Sequence, residues 1–264
     1  SEARAALARD LVGDLLRVRV RSGFFWTAGL TWEAIKLFGM QEMFMAMYDQ
    51  ADGLKRLMAF LRDDLMGIMD QLEAQGVLDS CAGANSVGSG GIGYTRDLPA
   101  CDPRDATYRF PVGFGQRWGL SESQETVGVS PEMFAEFVLP FQRPLIERFG
   151  LVCYGCCEPV DTRIDQILTL PRLRRVSVSP WADRAVMAKA LGRRCIYSRK
   201  PNPAHVCVGF DETAIRQELR ETLRLAGNLC LEFVLKDTHT VEGDFTRFAR
   251  WTAIAREEIA RHYG

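Results

Sequence analysis

Leu151-Val152-Cys153-Tyr154-Gly155-Cys156-Cys157-Glu158-Pro159-Val160 is a short apolar run that stops in a turn carrying two adjacent thiols and a carboxylate. A helical pattern resumes at Asp161. Strand, reactive turn and helix in that order make a βα loop of a parallel α/β fold, where loops carry the chemistry and strands position it.

The same rhythm continues to the C-terminus. Residues 174–178 predict a strand leading to a helix that begins near Ser179-Pro180-Trp181. Residues 194–198 predict a strand leading through Arg199-Lys200-Pro201-Asn202-Pro203 to a helix capped by Asp211. Residues 229–235 lead to a last helix over 244–262. Such alternation predicts parallel strands with right-handed crossovers. Upstream, residues 1–18 read as a helix with Leu7, Leu11, Leu15 and Leu16 on one face, and 18–26 as a strand. Residues 30–49 read as a Met-rich helix that packs a core or walls an apolar pocket, and 51–75 as a long amphipathic helix. Gly76-Val77-Leu78 and the run from Trp118 to Glu125 read as further short strands. Ser130-Pro131-Glu132 opens a helix, with Ser as N-cap and Pro at N1.

About seven strands are visible. Polar residues at nearly every strand end favour a closed (β/α)8 TIM-type barrel over an open doubly wound sheet, because one rim then collects all the loops. We read one domain over 1–264. The eighth strand is unassigned, or N-terminal βα units lie outside this sequence, or a partner completes the barrel.

Composition narrows the function. The 264 residues are 47% hydrophobic and 25% charged, which suits a soluble globular protein that buries a sizeable core. A formal net charge of -1 gives no footprint for nucleic acid or an anionic membrane surface. No apolar stretch reaches the roughly 20 residues of a membrane span. The first residues read as a charged helix rather than a signal peptide, so we expect a cytoplasmic protein whose eight cysteines are thiols. Gly88-Ser89-Gly90-Gly91-Ile92-Gly93 fits G-x-G-x-x-G literally, but no helix pattern follows to bind a pyrophosphate. We read it as a tight or mobile loop over a site, or else as plain turn residues. No nucleophile elbow and no Walker-type loop is present.

The strand ends supply the candidate site. Cys156 is the candidate nucleophile, with Glu158, Glu125 and His239 as proton-handling groups. Glu122 and Glu125 could divide acid and base roles if burial raised one of them. Tyr154, Gln124, Ser177, Trp181, Lys200, Lys236 and Asp237 are candidate substrate contacts, the two lysines for an anionic substrate. Cys156, Cys157 and His239 are donors of the kind that bind zinc. Each has a structural alternative. Adjacent cysteine side chains diverge, His239 could be a surface-loop histidine bonded to Asp237, and the lysines could be solvated loop cations. Cys153, Cys195 and Cys230 sit in apolar runs, and His205 and His262 read as structural.

These motifs resemble a known family. Ser130-Pro131-Glu132-Met133-Phe134, the apolar helix with Pro140, Phe149-Gly150 and the cysteine turn resemble the uroporphyrinogen decarboxylase superfamily, which includes the zinc-dependent, corrinoid-linked methyltransferases. Tyr154–Pro159, Ser177–Asp183, Lys200–Pro203 and Lys236–Thr240 mark a distinct branch. The resemblance runs from about residue 20 and is strongest over 117–262. It implies a (β/α)8 barrel with its site at the C-terminal rim. In the methyltransferase branch a His-x-Cys and a later Cys bind zinc. Here Tyr154 stands at the His position, Cys156 at the first Cys position, and the later Cys falls near Asp237–His239. In the decarboxylase branch, N-terminal arginines hold the substrate carboxylates, and members carry roughly a hundred more residues there, so this chain reads as a fragment. The leading expectation is methyl transfer from a corrinoid protein to a thiol or pterin acceptor. The alternatives are a decarboxylase of a tetrapyrrole-like acid, and a barrel that binds a corrinoid or tetrapyrrole without turnover. A homodimer is compatible with an incomplete barrel.

Overall fold

The computed structural model describes residues 2–16, 18 and 27–264. Helices α1 (Glu2–Val12), α2 (Thr31–Phe38), α3 (Met40–Asp49) and α4 (Ala51–Ala74) come first. Strands β1 (Gly83–Ser86) and β2 (Ile92–Gly93) form a small antiparallel hairpin. The remaining elements are β3 (Trp118–Ser121), α5 (Pro131–Phe137), α6 (Leu139–Ile146), β4 (Leu151–Tyr154), α7 (Ile164–Ile167), β5 (Leu173–Val178), α8 (Arg184–Leu191), β6 (Ile196–Arg199), α9 (Ala204–Cys207), α10 (Glu212–Ala226), β7 (Cys230–Phe233) and α11 (Thr246–Tyr263).

The strands β3 to β7 form one parallel sheet in sequential order. Right-handed crossovers between sequential neighbours put the connecting helices on one face. Val152, Tyr154, Val176, Val178 and Tyr197 point to that face. They share a core with Met43, Met58, Met69, Phe134 and Phe149 from the helices. The Met-rich segment is therefore core packing, as one of its two readings had it. At the other face, near the start of the strands, Trp118 and Leu151 pack on Ala82, Val87 and Leu98 beside the hairpin. Strands covered on both sides carry no simple alternation of apolar and polar residues, and β3 and β4 are buried throughout.

The closed (β/α)8 barrel expected from the sequence is not what forms. The described residues make a five-stranded parallel sheet and a separate hairpin, with no closed barrel. One expected strand accounts for part of the difference. Gly76-Val77-Leu78 belongs to no strand, and the strand expected over 18–26 falls almost wholly outside the described residues. Beyond β3, among the described residues, there is an isolated parallel bridge from Thr27 to Leu120. The polar strand ends did not discriminate, because any parallel sheet gathers its βα loops along one edge, closed or open.

Local signals fared better than the count. Ser130 caps α5, accepting a hydrogen bond from Met133 N, with Pro131 at the first turn. Asp211 caps α10 through Ala214 N. The helix read over 30–49 divides at Gly39, whose φ of 98° ends α2 and starts α3. The helix expected near Ser179 starts at Arg184 instead, capped by Asp183. On α1, Leu7 and Leu11 are exposed, as are Leu15 and Leu16 just after it, so the stripe read from their spacing faces outward. No helix among the described residues is long and apolar enough to cross a membrane.

Candidate active site

After Tyr154 the chain turns at Gly155, whose φ of +91° is left-handed. A β-carbon there would sit 3.2 Å from the Ser177 side chain. This turn brings Cys156 and Cys157 to the carboxyl end of the sheet. Their sulfurs lie 3.6 Å apart. The Lys236 ammonium, delivered by the chain leaving β7, donates to Cys156 Sγ at 3.2 Å and to Cys157 Sγ at 3.1 Å. Asp237, at a left-handed φ of 59°, accepts from Cys157 Sγ at 3.2 Å and lies 3.5 Å from Lys236 Nζ.

The electrostatics separate the two thiols. The hydrogen bond from Cys157 and the charge of Lys236 pull Cys156 down to about 5, against the opposing effect of burial. Cys157, which supplies that hydrogen bond and is also partly buried, is pushed well above the ordinary thiol range. Burial works against the Lys236 charge, but its hydrogen bonds to the thiols and the Cys156 charge outweigh burial and hold it protonated. The pair thus holds one negative charge, on Cys156, beside a fixed cation. Neighbouring positive charge and hydrogen-bond donors activate a cysteine in this way.

Glu158 pins the turn rather than facing it. It is 1% exposed, and its carboxylate accepts from Ser123 N at 2.9 Å and Cys156 N at 2.8 Å. Burial raises its pKa above the usual range. Its place is structural, tying the β3 and β4 turns together. Tyr154 is fully buried among the helices, its hydroxyl 2.9 Å from Gln142 Oε1 and 3.2 Å from Ser123 Oγ. It therefore contacts no substrate from the thiol side. Ser177 does reach the site, donating to the Cys156 carbonyl at 2.8 Å.

The carboxylate with an altered proton is Glu122. Burial raises it to about 8. Its Oε2 accepts from Gln124 N at 3.0 Å, and Thr27 Oγ1 donates to its Oε1 at 3.4 Å. Glu125 accepts from Thr31 Oγ1 at 2.6 Å at the start of α2. Gln124 is exposed and meets Glu122 only through its backbone.

Two expected members lie elsewhere. His239 is exposed, and its backbone N–H donates to the Asp237 carbonyl at 3.1 Å. Trp181 is 69% exposed and lines a cleft of about 670 Å³ with Arg184, Asn202, His205 and Glu218, on the helix side of the sheet. Cys156, Cys157 and His239 are not brought together: among the described residues no group of three or more such side chains could hold a metal ion. Lys236 already supplies the cation that both sulfurs face, so the donor set does not fit zinc.

The Gly88–Gly93 loop lies on this same side. Gly88, Ser89 and Gly90 have φ of 104°, 43° and 77°. Ser89 Oγ is 3.2 Å from Ser177 Oγ and 3.4 Å from the Cys156 carbonyl, and Lys236 Nζ is 3.5 Å from it. A β-carbon on Gly88 would meet Leu120 at 2.9 Å, and one on Gly91 would meet Arg175 at 2.8 Å. The loop is a cover that ends in β2 and leads into no helix, which agrees with rejecting a dinucleotide site.

Beneath the loop is a polar row of which the sequence reading named Lys200 but missed Arg175, Ser198 and Glu232. Arg175 Nε lies 2.8 Å from Glu232 Oε1, Ser198 Oγ donates to the same oxygen at 2.5 Å, and Lys200 Nζ donates to Ser198 Oγ at 2.6 Å. A signal was available. Arg175 and Ser177, Ser198 and Lys200 are polar residues two apart inside apolar runs, which puts each pair on one face of a strand.

No family model and no curated protein matches this chain.

Proposed function

We propose that the chain is an enzyme of the uroporphyrinogen decarboxylase kind that transfers a methyl group, with the Cys156 thiolate as its reactive group. The observation that carries this is the Cys156 sulfur held 3.2 Å from the Lys236 ammonium at the carboxyl end of a parallel sheet, with its pKa lowered to about 5. A thiolate, not a thiol, is the nucleophile. In the step we propose, Cys156 sulfur attacks an electrophilic methyl carbon. A carbon–sulfur bond forms, and the bond to the donor breaks with its electron pair leaving on the donor; an acceptor thiolate then attacks that methyl carbon, and the Cys156 thiolate leaves with the electron pair of the carbon–sulfur bond. Lys236 keeps the sulfur ionised beforehand. Cys157 and Ser177 hold the turn, and the Gly88–Gly93 loop shields the site from water. The donor class we propose is a methylated corrinoid carried by a partner protein.

The test uses methylcobalamin as probe and peptide mass spectrometry as readout. We expect one added methyl group on Cys156 in the native protein and none in Cys156→Ser. Methylation of surface cysteines only, such as exposed Cys230, would overturn the reading.

A second reading, loss of carbon dioxide from an acid, is supported by Glu122. A carboxyl raised to about 8 by burial still holds its proton at neutral pH. That is the state needed to protonate the carbanion a departing carboxylate leaves behind.

A further inference from the structure

We propose that Lys200 is a second nucleophile of this chain, one that forms an imine with a small aldehyde or ketone. The inference goes beyond the thiolate chemistry and does not depend on it.

Lys200 follows β6 directly, and its backbone N–H donates to the Val178 carbonyl at 2.9 Å, which fixes it against β5. It is two residues after Ser198, so both side chains point to the face covered by the glycine loop. Lys200 is 1% exposed. Its neighbour there is a hydroxyl, Ser198 Oγ at 2.6 Å, rather than a carboxylate. The nearby carboxylate of Glu232 is already matched by Arg175, at 2.8 Å, and receives the Ser198 hydroxyl as well. Lys236, the other lysine on this side, lies 3.5 Å from a carboxylate and faces two sulfurs. The two lysines thus have opposite surroundings.

A buried ammonium with no counter-ion of its own is costly, and the amine responds by giving up its proton. Burial takes Lys200 down to about 8, a direction that agrees with the geometry. Free amine is the form that attacks carbonyl carbon. Its lone pair adds to that carbon, and the adduct then collapses to a carbon–nitrogen double bond. The two amine hydrogens leave with the carbonyl oxygen as water, so nothing else is consumed. Ser198 Oγ, hydrogen-bonded to both Lys200 and Glu232, is placed to relay the proton during the exchange. The carbonyl compound enters when the Gly88–Gly93 loop lifts. The loop rests on this face through Gly91 against Arg175 and Gly90 against Val234.

The test is reductive trapping. The native protein is treated at pH 8 with propionaldehyde or pyruvate and sodium cyanoborohydride, and adducts are mapped by peptide mass spectrometry. The chain has five lysines: Lys36, Lys55, Lys189, Lys200 and Lys236. Exposed Lys36 and Lys189 serve as internal references. At pH 8 a group of pKa near 8 carries on the order of a hundredfold more free amine than an exposed lysine. We expect Lys200 to carry the main adduct from at least one probe, at a rate that rises through about pH 8, with Lys236 unmodified. Cys156→Ser is expected to trap equally at Lys200, since the imine needs no thiol. Adducts on Lys36 and Lys189 without a faster one on Lys200, from both probes, would overturn the proposal. That result would leave the Cys156 methylation test untouched.

Discussion

The charge on Cys156 depends on the hydrogen bond from Cys157 beside it and on a lysine 80 residues away in sequence. At the scale of single residues this is the main finding, and it makes a direct prediction. Alkylation by iodoacetamide follows the thiolate fraction. Because Cys156 is lowered to about 5, its alkylation rate should stay nearly level from pH 8 down to 6 and fall below about 5. An ordinary thiol would lose roughly tenfold per pH unit over the same range. Lys236→Met removes the cation, so the fall should move to higher pH and alkylation at pH 6 should slow by about tenfold or more. A Cys156 profile that tracks Cys230 would contradict the assignment. Residue identity alone showed that Cys156 and Cys157 were unusual. It could not say which of the two was ionised, because that follows from where Lys236 and Asp237 sit.

At the scale of elements, the glycine loop and the β4 turn act as a pair. Three successive residues with positive φ are needed to lay the loop on the sheet, and Gly88 also meets Leu120 closely. Gly88→Ala introduces a β-carbon where both the backbone angle and the space oppose it. The expected cost is about 1–2 kcal/mol from the left-handed backbone alone. Denaturant unfolding would show it as a lower midpoint, and limited proteolysis should cut between residues 86 and 94 faster. Unchanged stability and cleavage would mean the loop does not rest on Leu120. The glycines were legible as a loop because no helix pattern followed them. What they cover was not legible, since Arg175, Val234 and Ser177 come from three later segments.

At the scale of the whole molecule, one core joins the first and second halves of the chain. Ala28, Met43 and Met69 share it with Phe149, Val176 and Ala226. Helices α1 to α4 and the βα units should therefore not unfold separately over most of the structure. Far-ultraviolet circular dichroism and tryptophan fluorescence are expected to report one coincident transition in urea. Two separated midpoints would show that the helices before β1 form their own unit. The open sheet also places chemistry on two sides. The thiols, Ser177, Lys200 and Lys236 lie with the glycine loop, while Trp181 and Asn202 open onto the helix side. Sequence order had merged them into one rim.

Taken alone, the sequence determined the βα rhythm from β4 onward, the caps at Ser130 and Asp211, and the reactive turn after Tyr154. These rest on interactions within a few residues, such as hydrophobic period, capping side chains and glycine backbone freedom, and those are written locally. Tertiary structure alone decided that the described residues make a five-stranded parallel sheet and no closed barrel, that Glu158 and Tyr154 are pins rather than contacts, and that His239 stands apart from the thiols. It also decided that burial raises Glu122 and that, among the described residues, Lys200 is buried beside a hydroxyl rather than a carboxylate of its own. Those properties depend on burial and on partners tens of residues away. Desolvation and long-range charge set them, and decisive partners lie far off in sequence, Lys236 for Cys156 at 80 residues and Ser123 for Glu158 at 35.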